Sequence, residues 1–286
     1  MGRILTSAFA DEYSPSLDAQ LAMLRRRGFD FLEPRFIDGV NIADLTSEQL
    51  KTLRSSLEHY RVSVYSVGSP IGKISVTDPI EPHLARAENC FRIASRIGAT
   101  RVRVFSFYIP EGSTPEQCRG EVLVRMEALI SLAEKYGLLL CHENEAGIYG
   151  ETPERCLDLL EHFGGRLRAV FDMGNFVLDG CEPYPHAYKL LRDYIDYFHI
   201  KDALSAGAIV PPSLGEARIA DILAEHSVRG GDTVVTLEPH LETFSGLNRL
   251  VGKSFDNPHK FASPEEAFVM AHEKLTAIID GINHDV

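Results

Sequence analysis

The chain is poor in the features that mark several protein classes. Its five cysteines, Cys90, Cys118, Cys141, Cys156 and Cys181, are scattered, odd in number and never spaced as CxxC. That argues against a zinc ribbon or a disulfide scaffold and fits unpaired thiols in a reducing compartment. Basic residues cluster only at Arg25-Arg26-Arg27, in a chain of net charge −12. Neutralising a phosphate backbone needs a basic surface, so no nucleic-acid partner is expected. The arginine triplet suits the end of a helix, where cations complement the dipole. No apolar run approaches the ~20 residues needed to span a bilayer, and no charged segment followed by a long apolar one opens the chain. The expectation is a cytoplasmic protein with no membrane partner. There is no linker, low-complexity tract or repeat beyond a strand–helix rhythm, so residues 1–286 read as one domain.

The rhythm itself is regular. Short, nearly all-apolar runs suited to strands occur at Ile4–Phe9, Phe29–Glu33, Val62–Val67, Arg101–Phe105, Leu138–Cys141, Leu167–Phe171, Ile195–His199 and Thr233–Glu238. Helical stretches stand between them. One is expected to start at Ser14-Pro15 and stop at Gly28. Others have capping signals at Thr46–Gln49, Thr114–Gln117, Thr152-Pro153 and Ser263–Glu266. Further helices are read over Glu81–Ile97, around Pro185–Leu191 and from Ala217 to His226. Eight strands alternating with helices imply a parallel sheet covered on both faces. A doubly wound open sheet would carry a glycine-rich phosphate turn after its first strand, and Ala10-Asp11-Glu12-Tyr13 stands there instead. The fold class read is α/β, a single (β/α)₈ TIM barrel. Two long mouth loops are expected, Ala203–Glu216 and Leu241–Ala262; loops of such length are uncommon unless they bind or cover something.

Four metal-competent side chains close four of the strand runs: Glu143, Asp172, His199 and Glu238, about 29, 27 and 39 residues apart. A barrel advances ~31 residues per βα unit and keeps its chemistry at the C-terminal strand ends, so these four are expected to converge on one mouth. Three carboxylates and one imidazole suit a hard or borderline divalent ion, Mn²⁺, Mg²⁺ or Co²⁺ and less clearly Zn²⁺. Such an ion would polarise a carbonyl and stabilise an enediolate. Glu143 and Glu238 could then flank the substrate carbon as an acid/base pair. Proton transfer beside a carbonyl isomerises or epimerises a sugar; loss of a β-hydroxyl makes the protein a dehydratase instead. A barrel that binds a sugar without turnover is a third reading. Period-two alternation aims Glu145, Lys201 and His240 toward the mouth after Glu143, His199 and Glu238, where they could hold hydroxyls or a phosphate. It turns His142 away, to a structural place. Glu33 and Arg103 are further substrate candidates, with an ion pair inside the barrel as the alternative. Asp202 is read as a cap on backbone amides.

Glu143, Phe171-Asp172-Met173-Gly174-Asn175, His199-Ile200-Lys201-Asp202 and Leu237-Glu238-Pro239-His240 together resemble the xylose isomerase-like barrel superfamily, in particular its sugar phosphate isomerase/epimerase branch, over essentially the whole chain. The resemblance implies that Glu143, Asp172, His199 and Glu238 bind a divalent ion, commonly Mn²⁺, and that the two glutamates exchange the proton. It also implies a small sugar or polyol as substrate. Asn175 stands where keto-sugar epimerases often carry a substrate-binding histidine. Inosose and dehydroshikimate dehydratases share the superfamily. So does an abasic-site endonuclease whose richer three-zinc ligand set this chain does not match. Barrels of this kind often pair, so a homo-oligomer is an open expectation.

Overall fold

The computed structural model describes residues 2–242 and 258–284. Its strands are β1 (Ile4–Ala8), β2 (Phe31–Leu32), β3 in two pieces (Ser63–Val64 and Ser66–Gly68), β4 (Arg101–Val104), β5 (Leu139–Glu143), β6 (Leu167–Asp172), β7 (Ile195–Ile200) and β8 (Thr233–Leu237). Parallel pairing runs β1-β8-β7-β6-β5-β4 and on to the second piece of β3, while the first piece of β3 pairs with β2. The ring closes between β1 and β2, where Asp30 N–H donates to Thr6 O at 2.9 Å and Glu33 N–H to Ala8 O at 3.0 Å. The result is the α/β barrel read from the strand rhythm.

The helices are α1 (Leu17–Arg27), α2 (Ser47–Tyr60), α3 (Ile80–Arg96), α4 (Pro115–Glu134), α5 (Pro153–Phe163), α6 (Met173–Leu178), α7 (Tyr188–Leu191), α8 (Ile219–Ser227) and α9 (Pro264–His284). Full capping boxes open α2 at Thr46/Gln49 and α4 at Thr114/Gln117. Each buries an apolar stripe on the outer face of the sheet, Leu50, Leu53 and Leu57 in α2 and Val122, Met126 and Leu129 in α4. Among the described residues no helix is long and apolar enough to cross a membrane.

Some boundaries differ from expectation. The first helix begins at Leu17 rather than Pro15, because Leu17 N–H is taken by the Asp38 carboxylate at 2.9 Å and Ser14 caps only Ser16 N–H. The third strand breaks at Tyr65, where its pairing passes from β2 to β4. The eighth helix starts at Ile219, after Arg218 takes a left-handed turn at φ 55°. The ninth runs past Ile279 to His284. Ala203–Glu216 is not a plain loop. It carries a hairpin pairing Asp202–Leu204 with Ala208–Val210. Asp202 pins its ends, accepting from Ala203, Gly215 and Ala217 N–H at 3.0–3.1 Å. A Cβ on Gly215 would lie 2.1 Å from that carboxylate, so only glycine fits there. The other long mouth loop, Leu241–Ala262, lies outside the described residues from 243 to 257.

Candidate metal centre and active site

Period two along each strand places the site. Glu143, Asp172 and His199 are the last inward residues of β5, β6 and β7, and Glu238 follows β8 directly. Registers Glu143↔Val170, His199↔Asp172 and His199↔Thr236 put the strand ends level. Glu143, Asp172, His199 and Glu238 are all buried, and each offers one ligand atom such that the four atoms lie within 4.8 Å of one another. Donors at ~2.1 Å from one ion stand about 3–4 Å apart, so the set fits a single divalent cation. A cavity of ≈450 Å³ opens above it.

Each donor is held from behind. His199 directs Nδ1 at Glu143 Oε1 (2.8 Å) and Glu238 Oε2 (3.5 Å), while Nε2 faces Glu33 Oε2 at 3.3 Å. Glu33 in turn accepts from Thr236 Oγ1 at 2.7 Å and Tyr197 OH at 2.8 Å. A carboxylate behind a ligating imidazole fixes its tautomer and ring plane. Asp172 caps α6 by accepting Asn175 N–H at 2.8 Å, and Asn144 grips both the N–H and the C=O of Asp172 at 3.0 and 2.9 Å. Lys201 Nζ donates to Asp172 Oδ2 and Asn175 Oδ1, both at 2.9 Å, and lies 3.4 Å from Glu238 Oε2. That approach needs Gly174, where a Cβ would meet Lys201 O at 2.7 Å. Arg103 Nη1 bonds Glu143 Oε2 at 2.5 Å. Arg35 spreads its fork over Asp11 (3.0 Å), Glu12 (3.0 Å) and Glu238 Oε1 (2.8 Å).

The electrostatics follow from burial and crowding. Burial would raise the Glu143 carboxyl, but His199 and Arg103 outweigh it and hold it well below the usual range. Burial would also raise Glu238, yet Lys201, His240 and His199 keep it low. Asp172 is pushed up to about 7 by burial, with Glu143 and Glu238 adding repulsion that Lys201 only partly offsets. Burial acts to lower His199, and the charges of Glu143 and Glu33 lift it well above its usual value. Six acids, Asp11, Glu12, Glu33, Glu143, Asp172 and Glu238, thus crowd around Arg35, Arg103 and Lys201. That excess of negative charge is what a divalent ion offsets. Glu12, Glu238 and His240 form a second group of close donors; there the Arg35 guanidinium already lies on Glu12 and Glu238.

The other candidates divide by position. Asn175, Lys201, His240, Glu145 and Arg103 line the cavity. Glu145 is tied to Lys73 at 2.7 Å. Glu33 does not line it; it is fully buried behind His199. His142 turns outward to Ser106 Oγ at 2.9 Å, and burial lowers it to about 4. Sequence reading overlooked Arg35, Asp11, Glu12 and Asn144. Arg35 stands two residues beyond Glu33, so the same alternation that found Lys201 and His240 points to it.

A family model for xylose isomerase-like TIM barrels matches residues 21–242. No curated protein matches the chain in sequence. Solved structures resemble it at low identity. The probable 3-DHS dehydratase AsbF involved in petrobactin synthesis, from Bacillus anthracis, superposes with a TM-score of 0.73 at 17% identity, covering 96% of this chain and 99% of its own. A D-allulose 3-epimerase from Methylomonas sp., in complex with D-allulose, has a TM-score of 0.73 at 14% identity, with 98% of both chains covered. A xylose isomerase-like TIM barrel protein from Mycobacterium smegmatis, in complex with magnesium, has a TM-score of 0.68 at 17% identity, covering 99% and 98%.

Proposed function

The chain belongs to the xylose isomerase-like TIM barrel family, and from that membership we propose that it is a divalent-metal-dependent isomerase or epimerase of a keto-sugar, a polyol-derived ketone or a sugar phosphate. The observation that carries this reading is the convergence of Glu143, Asp172, His199 and Glu238 on one point beneath a cavity. Those four side chains would hold the ion, Mn²⁺ first among Mg²⁺, Co²⁺ and Zn²⁺, which would supply Lewis-acid polarisation of a carbonyl oxygen. The protein does the rest. Glu143 and Glu238 come from β5 and β8, which do not adjoin in the ring. One, ionised, takes the proton from the carbon beside the carbonyl; the other, carrying a proton taken from solvent, gives it to the opposite face or to the neighbouring carbon. Arg103 and Arg35 each hold one oxygen of these carboxylates and so fix them in plane. Lys201 supplies an ammonium beside Glu238, suited to a substrate hydroxyl.

The test is exchange of substrate C–H with deuterated solvent in the presence of Mn²⁺, run on a panel of ketoses and inososes. Exchange that disappears in both Glu143→Gln and Glu238→Gln supports the proposal; no exchange with any member of the panel defeats it. A second reading, a dehydratase, is favoured by Asn175. Its amide bonds Asn144 O and Lys201, both at 2.9 Å, at the position where keto-sugar epimerases often carry a histidine. Lys201 would then protonate the departing β-hydroxyl, and an absorbing enone product would mark the reaction.

A further inference from the structure

The two carboxylate oxygens of Glu238 face different cations. Oε2 looks into the metal centre, 3.5 Å from His199 Nδ1 and 3.4 Å from Lys201 Nζ. Oε1 looks the other way and accepts from Arg35 Nη1 at 2.8 Å. A second set of donors assembles around Oε1. Glu12, Glu238 and His240, all buried, each offer one ligand atom, and these atoms lie within 4.8 Å of one another. His240 Nε2 stands 3.8 Å from both Glu12 Oε1 and Glu238 Oε1. The seam of the ring brings the group together. β8 pairs with β1, and β1 meets β2. Glu238 and His240 follow β8, Asp11 and Glu12 follow β1, and Arg35 follows β2. His240 takes a left-handed turn at φ 48°, and its N–H donates to Glu12 Oε2 at 2.7 Å. Such a turn at a residue other than glycine persists only where the surroundings hold it.

A carboxylate shared between two cations, with further acids and a histidine beyond it, is the build of a two-metal centre, whose ions stand ~3.5–4 Å apart. Here the far position is taken by a side chain. Arg35 spreads Nε, Nη1 and Nη2 over Asp11, Glu238 and Glu12 at 3.0, 2.8 and 3.0 Å. It is buried, and its Cζ lies over the Phe9 ring at 4.4 Å. The planar fork thus meets three carboxylates from two sides of the seam at once. A guanidinium keeps its charge at any working pH. Unlike a bound ion, it is part of the chain and neither exchanges nor yields to a chelator.

Resting on the metal centre of the function proposed above, we infer that Arg35 is the built-in second cation of that centre: its guanidinium holds the place that a second divalent ion would take on Glu12, Glu238 and His240, so the chain binds one metal ion and not two. The second positive charge then does not depend on metal supply. Arg35 also lines the cavity, so that charge borders the space above the first ion.

The experiment strips the full-length protein with a chelator, titrates it with Mn²⁺ and counts bound ions by calorimetry and elemental analysis. The wild type should take about one ion per chain and Arg35→Ala about two. Glu12→Gln in the Arg35→Ala background should return the count to about one. Mn²⁺ should also raise the melting temperature of Arg35→Ala by more than that of the wild type, because a second ion then binds the folded state. Should Arg35→Ala be unfolded without metal, recovery of its native circular dichroism on adding Mn²⁺ supports the inference, and no recovery overturns it. A wild type that takes two ions, a folded Arg35→Ala that takes only one, or a second ion that survives Glu12→Gln overturns it as well. Each of these leaves the isomerase reading standing, since the first ion is still bound. No Mn²⁺ bound by the wild type removes both.

Discussion

The two halves of the barrel lumen use the same strands for opposite purposes. The lower half is closed by Cys141, Val170, Tyr197 and Val234, with Leu5, Phe31, Tyr65 and Leu139 packed against them. Two residues further along β5, β6, β7 and β8 stand Glu143, Asp172, His199 and Thr236. One step of the strand period therefore separates a packed plug from a charged centre. The plug contributes stability through burial. The centre concentrates like charges at the one level of the ring where eight chain segments open toward solvent. The comparison teaches that burial here serves two ends: below, it removes apolar area from water; above, it lowers the local dielectric so that a few ionised groups act strongly.

The largest effect expected from breaking the contrast is catalytic. Glu143→Gln and Glu238→Gln should each lower exchange by about a thousandfold with the thermal transition retained, whereas Val170→Ala should leave most activity. Single-turnover exchange beside a melting curve checks both. Next is Arg35→Ala. It leaves Asp11, Glu12 and Glu238 buried without their guanidinium, and is expected to destabilise by about 3–5 kcal/mol; Val170→Ala in the plug should cost about 1–2 kcal/mol. Urea unfolding of the pair compares the two halves directly, and equal losses would erase the distinction.

A third prediction concerns the donors. Asp172→Ala and His199→Ala should lose bound metal, measured by elemental analysis, while Glu143→Gln keeps part of it. Added Mn²⁺ should raise the melting temperature of the wild type but not of the first two variants, because a ligand that binds only the folded state stabilises it. Full occupancy in both alanine variants would be fatal to the site.

The smallest effect lies outside the ring. Burial lowers His83 and His226 to about 4. His83 accepts Gly72 N–H at 2.8 Å and His226 lies against the Phe198 ring at 4.9 Å. A group with a depressed folded pKa gives stability that is present above its unfolded value and lost on acidification. Stability should therefore fall between pH 6.5 and about 4, by about 1 kcal/mol for each histidine once partial screening is allowed for. His83→Gln with His226→Gln should flatten that part of the denaturation profile.

Much of this was legible along the chain because strands alternate in and out. Apolar runs marked the strands, capping residues marked α2 and α4, and residues at or just beyond the ends of four runs marked the candidate donors. The same alternation turned His142 outward, where it meets Ser106. What escaped were residues whose meaning depends on a partner far away. Arg35 and Glu238 are separated by 203 positions and Glu33 and Thr236 by the same. Glu33 stood open between a substrate contact and an ion pair inside the barrel, and the structure sets it behind His199.

The sequence by itself therefore decided the order of strands, the barrel and the four side chains at its mouth, because these follow from local periodicity and spacing. Only the tertiary structure decided which charges face one another. Ring closure brings β1 and β2 beside β8, and the guanidinium of Arg35 reaches Glu238 through that seam. Electrostatic energy depends on distance in space, which spacing along a chain does not carry.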